Sequence, residues 1–258
     1  MEQNDKHLHA MRHSLAHITA AAVKRLWPEA KFGVGPVIEN GYYYDIDLGG
    51  DQTISEADFA AIEKVMSAII AENQPFERFT LPVDKAIAWA EQNKQPYKKE
   101  LLNDLKRAGT TVAKDLDANE LGIEAGEESK VVEVSFYRNG DFTDLCRGPH
   151  VESTGKVGAF RLQKVSGAYW RAKEGNPQMQ RLYGVGFVSR QELDEYLKAV
   201  EEAKLRDHRL LGKQLDLFTF SDLVGPGLPL FTPRGTLVRN QLKGLLLQVG
   251  KKYGGQEV

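Results

Sequence analysis

The chain has 258 residues, 41% hydrophobic and 27% charged, with 34 basic against 36 acidic side chains and a formal net charge of −2. That composition is globular and longer than one average domain, and it excludes a protein that holds nucleic acid through a general basic surplus, so any such contact rests on local clusters. A single cysteine excludes an internal disulfide, the first residues lack the apolar run of a secretory signal, and no apolar stretch approaches the ~20 residues that cross a bilayer; a reducing cytoplasm is the expected compartment and membrane insertion is excluded.

Residues 7–27 read as a helix, because Leu8, Met11, Leu15, Ile18, Ala22 and Leu26 recur at helical spacing and Pro28 closes it. At about 100° per residue, His13 and His17 fall opposite that stripe, with Ala10, Ala20 and Ala21 on their side, as in a pocket wall. Val37 to Glu39 and Tyr42 to Ile46 read as a hairpin turning through Asn40-Gly41. Tyr42, Tyr44 and Ile46 share one strand face, and the three successive tyrosines read as half-buried sheet residues. A second helix is expected over about 55–73, capped by Ser55, with Phe59, Ile62, Met66, Ile69 and Ile70 as its buried face and Pro75 as its stop.

Phe76 to Leu81 reads as a strand, followed by short helices over 83–93 and 97–107, the second opened by Pro96. Lys98 and Lys99 lie in its first turn, where the helix dipole disfavours a cation and eases loss of a proton; by themselves they read as a solvated pair. Residues 109–130 read as an irregular surface connection. Val131 to Tyr137 and Phe142 to Leu145 form a second expected hairpin, across Asn139-Gly140, and Cys146 follows directly. Gly148-Pro149 breaks any helix between Cys146 and His150, which places them at a strand end and the turn beyond it.

Further strands are expected over 157–171 and 179–187. Ser189 to Glu192 is a capping box that opens a long charged helix to about residue 211, suited to joining two domains. A Gly- and Pro-rich stretch follows, and then a helix from Thr236 to Tyr253 whose apolar stripe of Leu237, Leu242, Leu245, Leu246 and Val249 needs a partner. Two basic clusters, Lys98, Lys99, Lys106 and Arg107, and Arg161, Lys164, Arg171 and Lys173, are the local candidates for RNA contact and otherwise read as solvated faces.

Chemistry concentrates in two pairs of equal spacing, His13 with His17 and Cys146 with His150. Imidazole and thiolate bind Zn²⁺ tetrahedrally and handle protons and nucleophiles near neutral pH. Alone, the histidines read as polar residues on a helix face and Cys146 as a small buried hydrophobe. Matched pairs in a chain with one cysteine point to a single site that folding assembles.

Taken in order, these pairs, the Gly35-Pro36 to Tyr44 hairpin, Gln95-Pro96-Tyr97-Lys98, Asp144 to His150, Gly167-Ala168-Tyr169-Trp170-Arg171, and Arg206 to Arg209 followed by Gly212 to Phe218 closely resemble the bacterial threonyl-tRNA synthetases. The resemblance covers nearly the whole chain. It implies an α+β fold: over 1–188 the editing domain shared with alanyl-tRNA synthetases, with mixed or antiparallel sheets and packed helices, over 189–212 a linker helix, and over 213–258 the first elements of a class II catalytic domain, ending before the proline of motif 1. It also implies that a ubiquitin-like domain, motifs 2 and 3, the threonine-sensing zinc ligands and the anticodon-binding domain lie outside this sequence. ATP, magnesium, a second zinc and homodimer formation are then matters for the parent enzyme, and the expected activity is editing alone, hydrolysis of seryl-tRNA formed on the tRNA for threonine.

By the same resemblance, His13 and Lys98 position water and handle protons or charge. Tyr44, Asp144 and Cys146 bind the seryl group and terminal adenosine, and His17 and His150 complete the cluster. Zinc on His13, His17, Cys146 and His150 stays open: four protein ligands make a closed structural site, whereas a catalytic one keeps a position for water. Alanyl-type editing domains commonly hold zinc here and threonyl-type ones need not. The rival readings are a free-standing editing factor acting in trans and a non-catalytic, zinc-stabilised tRNA-binding module.

Overall fold

The computed structural model describes residues 2–108, 131–225 and 227–255; the expected connection over 109–130 lies outside the described residues. Two compact units are present, Met1–Leu193 and Asp194–Val258. The first begins with α1 (Glu2–Leu26) and contains β1 (Lys31–Phe32), β2 (Val37–Ile38), β3 (Gly41–Asp47), α2 (Phe59–Ala71), β4 (Glu77–Pro82), α3 (Val83–Gln92) and α4 (Pro96–Ala108). It continues through β5 (Glu133–Asn139), β6 (Phe142–Leu145), β7 (Ala159–Tyr169) and β8 (Gln178–Phe187) into α5 (Arg190–Leu205). No described helix is long and apolar enough to cross a membrane.

Two antiparallel sheets organise this α+β unit. One has the order β1-β3-β8-β7, with β2 also paired to β3; the other has the order β4-β5-β6. α1 packs against α2, β3 and β8 and touches β6. Every residue from Ala10 to Val23 is buried, so α1 is enclosed on all sides and is not the one-sided amphipathic helix that its spacing predicts. Met11, Leu15, Ile18 and Ala22 join Tyr42, Tyr44, Ile46, Ile62, Met66 and Ile69 in the first core. A second core gathers Val83, Ala86 and Ala90 of α3, Leu101, Leu102 and Leu105 of α4, and Val134, Phe136, Leu145, Trp170 and Met179. Tyr42 and Tyr44 are fully buried and only Tyr43 is half-buried, a correction to the half-exposed reading of all three.

Both predicted turns sit one residue from where the Asn-Gly pairs suggest. Ile38 pairs with Gly41, so the first turn is Glu39-Asn40 and the glycine belongs to β3. A Cβ on Gly41 would lie 2.0 Å from the Gly184 carbonyl oxygen, so the close approach of β8 demands glycine there. Asn139 pairs with Phe142, so the second turn is Gly140-Asp141 with Gly140 at φ +53°, while the Asn139 amide donates to Gln74 Oε1 at 3.0 Å. Three helices also differ from expectation. A 3-10 turn at Glu56–Asp58 precedes α2, and Ser55 N donates to Asp58 Oδ2 at 2.8 Å across it.

The Ser189 capping box forms, with Glu192 N donating to Ser189 Oγ at 3.2 Å and Ser189 N to Glu192 Oε2 at 3.4 Å. The charged helix does not run to residue 211. It stops at Leu205, and α6 (His208–Gln214) starts afresh because the Asp207 carboxylate accepts from Arg209 N at 2.8 Å, a cap that favours a new N-terminus over continuation. The second unit adds the antiparallel pair β9 (Phe218–Thr219) and β10 (Leu230–Phe231) and the helix α7 (Pro233–Lys252). α7 begins before Thr236 because Thr232 Oγ1 accepts from Gly235 N at 3.1 Å and Pro233 suits the first turn. Its Leu237, Leu242, Leu245, Leu246 and Val249 are exposed.

Gly41→Ala is expected to lower stability by roughly 2–3 kcal/mol or more, since backbone faces the new methyl and neither strand can yield without breaking its register; urea denaturation followed by circular dichroism measures it.

Candidate active site

Five segments converge on one buried spot. α1 contributes His13 and His17, the end of β6 contributes Asp144 and Cys146, the following turn His150, β3 Tyr44, and the first turn of α4 Lys98. Each element is held locally by its own sequence. Gln95 Oε1 accepts from Phe32 N at 2.9 Å and Gln95 Nε2 donates to Ala30 O at 3.1 Å, so one amide replaces a strand neighbour along β1. Pro96 opens α4, and the Tyr97 hydroxyl donates to Asp47 Oδ2 at 2.7 Å at the end of β3. These ties start α4 against the sheet and direct Lys98 inward. Gly35 has a related role, since a Cβ there would meet the Tyr44 ring at 2.4 Å.

Lys98 is 2% exposed and Asp144 4%. Their Nζ and Oδ1 atoms are 2.7 Å apart, Leu145 N donates to the same oxygen at 2.9 Å, and the Tyr44 hydroxyl donates to Asp144 Oδ2. Lys98 Nζ also stands 3.5 Å from the Tyr44 hydroxyl. The solvated reading of the lysine pair therefore fails for Lys98, because a buried carboxylate supplies the partner that a buried ammonium needs. Lys99 remains at the surface, paired with Glu91 at 2.6 Å. The other cluster members are largely answered by neighbours: Lys106 by Asp84, Arg107 by Asp104, Arg161 by Glu63, and Arg171 by Glu100 and Asp104.

Cys146 Sγ lies 3.3 Å from His13 Nε2, 3.3 Å from His150 Nε2 and 3.3 Å from the donating Gly148 N. Ser14, which no sequence pattern marks, sets the state of His150. Its hydroxyl donates to Ala10 O at 2.8 Å and accepts from Val151 N at 3.0 Å, so its 3.1 Å contact with His150 Nδ1 is filled by an imidazole N–H. The His150 Nε2 lone pair then points at the cysteine sulfur. His150 also stacks on Phe76 at 4.8 Å and on His13 at 4.3 Å. His17 Nδ1 is buried and has no hydrogen-bond partner among the described residues.

Burial lowers the pKa of His13 to about 4, with the nearby His9 and Lys98 charges acting in the same direction and the Pro149 backbone opposing them. Burial first, then mutual repulsion, holds His17 and His150 well below the ordinary imidazole value. Burial, followed by the Asp144 charge, pushes the Tyr44 hydroxyl well above its usual range. At neutral pH the cluster therefore presents neutral imidazoles with free lone pairs, beside a tyrosine that stays a donor.

One ligand atom from each of His13, His17, Cys146 and His150 falls within 4.8 Å of all the others, so this buried group can hold a metal ion. Tetrahedral zinc places neighbouring N and S donors roughly 3.3–3.7 Å apart. The sulfur-to-nitrogen separations of 3.3 Å fit that spacing and a thiol–imidazole hydrogen bond alike, and the orphaned His17 Nδ1 is a donor without other employment. The adjoining cavity, walled by His13, His17, Tyr44, Lys98, Asp144 and Cys146, measures about 20 Å³, room for about one water.

Residues 134–183, which run from β5 through β8, match the family described as the threonyl and alanyl tRNA synthetase second additional domain. Over nearly its whole length the chain is similar to threonine-tRNA ligases. It is 46% identical to the threonine-tRNA ligase of Acetivibrio thermocellus over 96% of its own length and 35% of that protein's. The same identity and coverage hold for the enzymes of Clostridium acetobutylicum and Clostridium tetani. The chain thus spans about a third of the length of these relatives.

Two outcomes follow for the site. Between pH 6.5 and about 4 the unfolded chain binds a proton at His13 that the folded chain refuses, so stability is expected to fall as pH drops through that window, by about 3 kcal/mol from His13 alone. Melting curves across pH read this, and His13→Asn flattens the slope. Lys98→Met strands a buried carboxylate and is expected to lose about 3–5 kcal/mol, of which Lys98→Met/Asp144→Asn recovers a large part in a double-mutant cycle.

Proposed function

We propose that residues 1–188 hydrolyse seryl-tRNA formed in error on the tRNA for threonine, and that the seryl ester docks at the mouth of the one-water cavity bounded by His13, Lys98, Tyr44, Asp144 and Cys146. The observation that carries this reading is the buried Lys98–Asp144–Tyr44 cluster set beside neutral His13 and Cys146 around space for about one water. A synthetic site that recognises threonine by its hydroxyl rejects serine poorly, because a missing methyl is worth only about 1–3 kcal/mol. A second pocket that admits serine and excludes the extra methyl supplies the missing accuracy, and close walls suit that task.

In this reading His13 and Lys98 position the water. Neutral His13 accepts a proton as the water oxygen adds to the ester carbonyl, the Lys98 ammonium faces the developing oxyanion, and the proton passes to the departing ribose oxygen. Asp144, Tyr44 and Cys146 hold the seryl group and terminal adenosine, with Asp144 offering a carboxylate to the seryl ammonium. His17 and His150 complete the cluster. A zinc ion bound by His13, His17, Cys146 and His150 would take up the His13 lone pair and leave no place for water, so four-donor binding belongs to the structural, non-catalytic reading. The partner is the tRNA for threonine and the setting the cytoplasm. Residues 189–212 link to the opening of a class II domain over 213–258, and the ATP-dependent ligase reaction, its magnesium and second zinc, and the homodimer belong to the rest of such an enzyme.

Deacylation without ATP tests the proposal. The wild-type chain is expected to hydrolyse seryl-tRNA and spare threonyl-tRNA, and His13→Ala and Lys98→Ala to lose roughly 10²–10⁴ in rate. Full rates in both variants would remove the assignment. Metal analysis of protein purified without added zinc is the companion measurement: bound zinc, unfolding on chelation and no ester hydrolysis would favour the tRNA-binding module, for which the clustering of four donors is the supporting observation.

A further inference from the structure

The Gly167-Ala168-Tyr169-Trp170-Arg171 stretch lies outside the ester pocket, yet it ends in a short 3-10 turn, Trp170–Ala172, that is tied to the helix carrying Lys98. Trp170 is 3% exposed; its indole Nε1 donates to Glu100 Oε2 at 3.0 Å and its ring packs 4.9 Å from that of Tyr97. Arg171 places Nε 3.2 Å from Glu100 Oε1 and donates from its terminal nitrogen to Asp104 Oδ2 at 2.6 Å, in a pairing where both the Arg171 and Asp104 side chains are largely buried. Tyr97, Glu100 and Asp104 recur at helical spacing and form one ridge of α4, and Lys98 stands about 100° round the same axis.

The corner holds this grip against its own backbone preference. Arg171 at φ +56° and Ala172 at φ +51° are successive non-glycine residues in the left-handed region, a conformation that persists only where surroundings impose it. Trp170 N donates to Pro177 O at 3.0 Å and the Asn176 amide to Trp170 O at 2.9 Å, which anchors the corner to the far end of the β7–β8 hairpin. Gln95 and Tyr97 fix where α4 begins. The ridge contacts fix its rotation, and rotation decides whether Lys98 Nζ reaches Asp144.

We propose that Trp170 and Arg171 are positioning residues: they clamp α4 through Glu100 and Asp104 so that the Lys98 ammonium meets Asp144 and Tyr44. This inference rests on the deacylase reading for its kinetic arm only. In that arm, Arg171→Ala is expected to lower kcat for seryl-tRNA about 10- to 100-fold with KM unchanged, Arg171→Lys to recover part of the loss, and Arg171→Ala to add nothing in a Lys98→Met background.

The second arm needs no activity. In protein labelled with ¹⁵N-lysine, the buried Lys98 ammonium is expected to give a slowly exchanging signal, identified by its loss in Lys98→Met, that broadens or shifts in Arg171→Ala while the circular dichroism spectrum stays unchanged. If Arg171→Ala fails to fold, Trp170→Phe, which keeps an aromatic ring there and removes the donor to Glu100, replaces it in both arms. An unchanged Lys98 signal, or an equal rate loss with and without Lys98, overturns the clamp. A wild-type chain that does not hydrolyse seryl-tRNA overturns the deacylase reading instead, and the ammonium signal alone then decides the clamp.

Discussion

A lysine ammonium and an aspartate carboxylate, both withdrawn from water, set the terms for the rest of the first unit. Neither charge is tolerable alone in that interior, and both are carried by elements of the second core: Lys98 by α4, Asp144 by the end of β6. Tyr44 from β3 and the Leu145 amide supply two further donors to the carboxylate. Because Tyr44 belongs to the first core, its bond to Asp144 joins the two hydrophobic cores at one polar point. Register errors in β3 or β6, or rotation of α4, would leave a buried charge without its counterpart.

The histidines beside it follow from the same constraint. Burial first, then mutual repulsion and, for His13 and His17, the Lys98 ammonium keep His13, His17 and His150 neutral, so the cluster adds no net positive charge to the interior. Neutral rings can pack face to face, as His13 and His150 do, where charged ones would repel. The lone pairs left over point at Cys146 and into the small cavity. Reactivity and burial are thus linked: the surroundings that make the site hard to solvate are those that keep its bases unprotonated.

Support for this centre is layered. Gln95 replaces a strand neighbour, Tyr97 reaches the end of β3, Gly35 makes room for the Tyr44 ring, and Ser14 selects the His150 tautomer. None of these residues is bound to perform chemistry. Each removes a degree of freedom from one that is. Such a shell accounts for the length of chain around so small a site, since a geometry tolerant to a fraction of an ångström requires every supporting rotamer to be held.

The sequence by itself determined a good deal. Helical spacing located α1 and α2, Pro96 marked the start of α4, the Asn40-Gly41 hairpin signal located β3, and the equal spacing of His13–His17 and Cys146–His150 singled out the cluster, because these signals depend only on neighbours in the chain. The order of the motifs along the chain also led to the synthetase resemblance, and through it to Lys98 and Asp144. Tertiary structure decided what neighbours cannot. The Asn-Gly pairs marked both hairpins but not their registers, since the approach of Gly184 to Gly41 and of Gln74 to Asn139 selected which residue turned. Lys98 and Lys99 are indistinguishable as a dipeptide, yet one lies buried against Asp144 and the other stays at the surface with Glu91. Ser14 carries no sequence signal because its role exists only once His150, distant in the chain, arrives beside it. A charge's partner and a ring's tautomer are properties of assembled space, and no local pattern contains them.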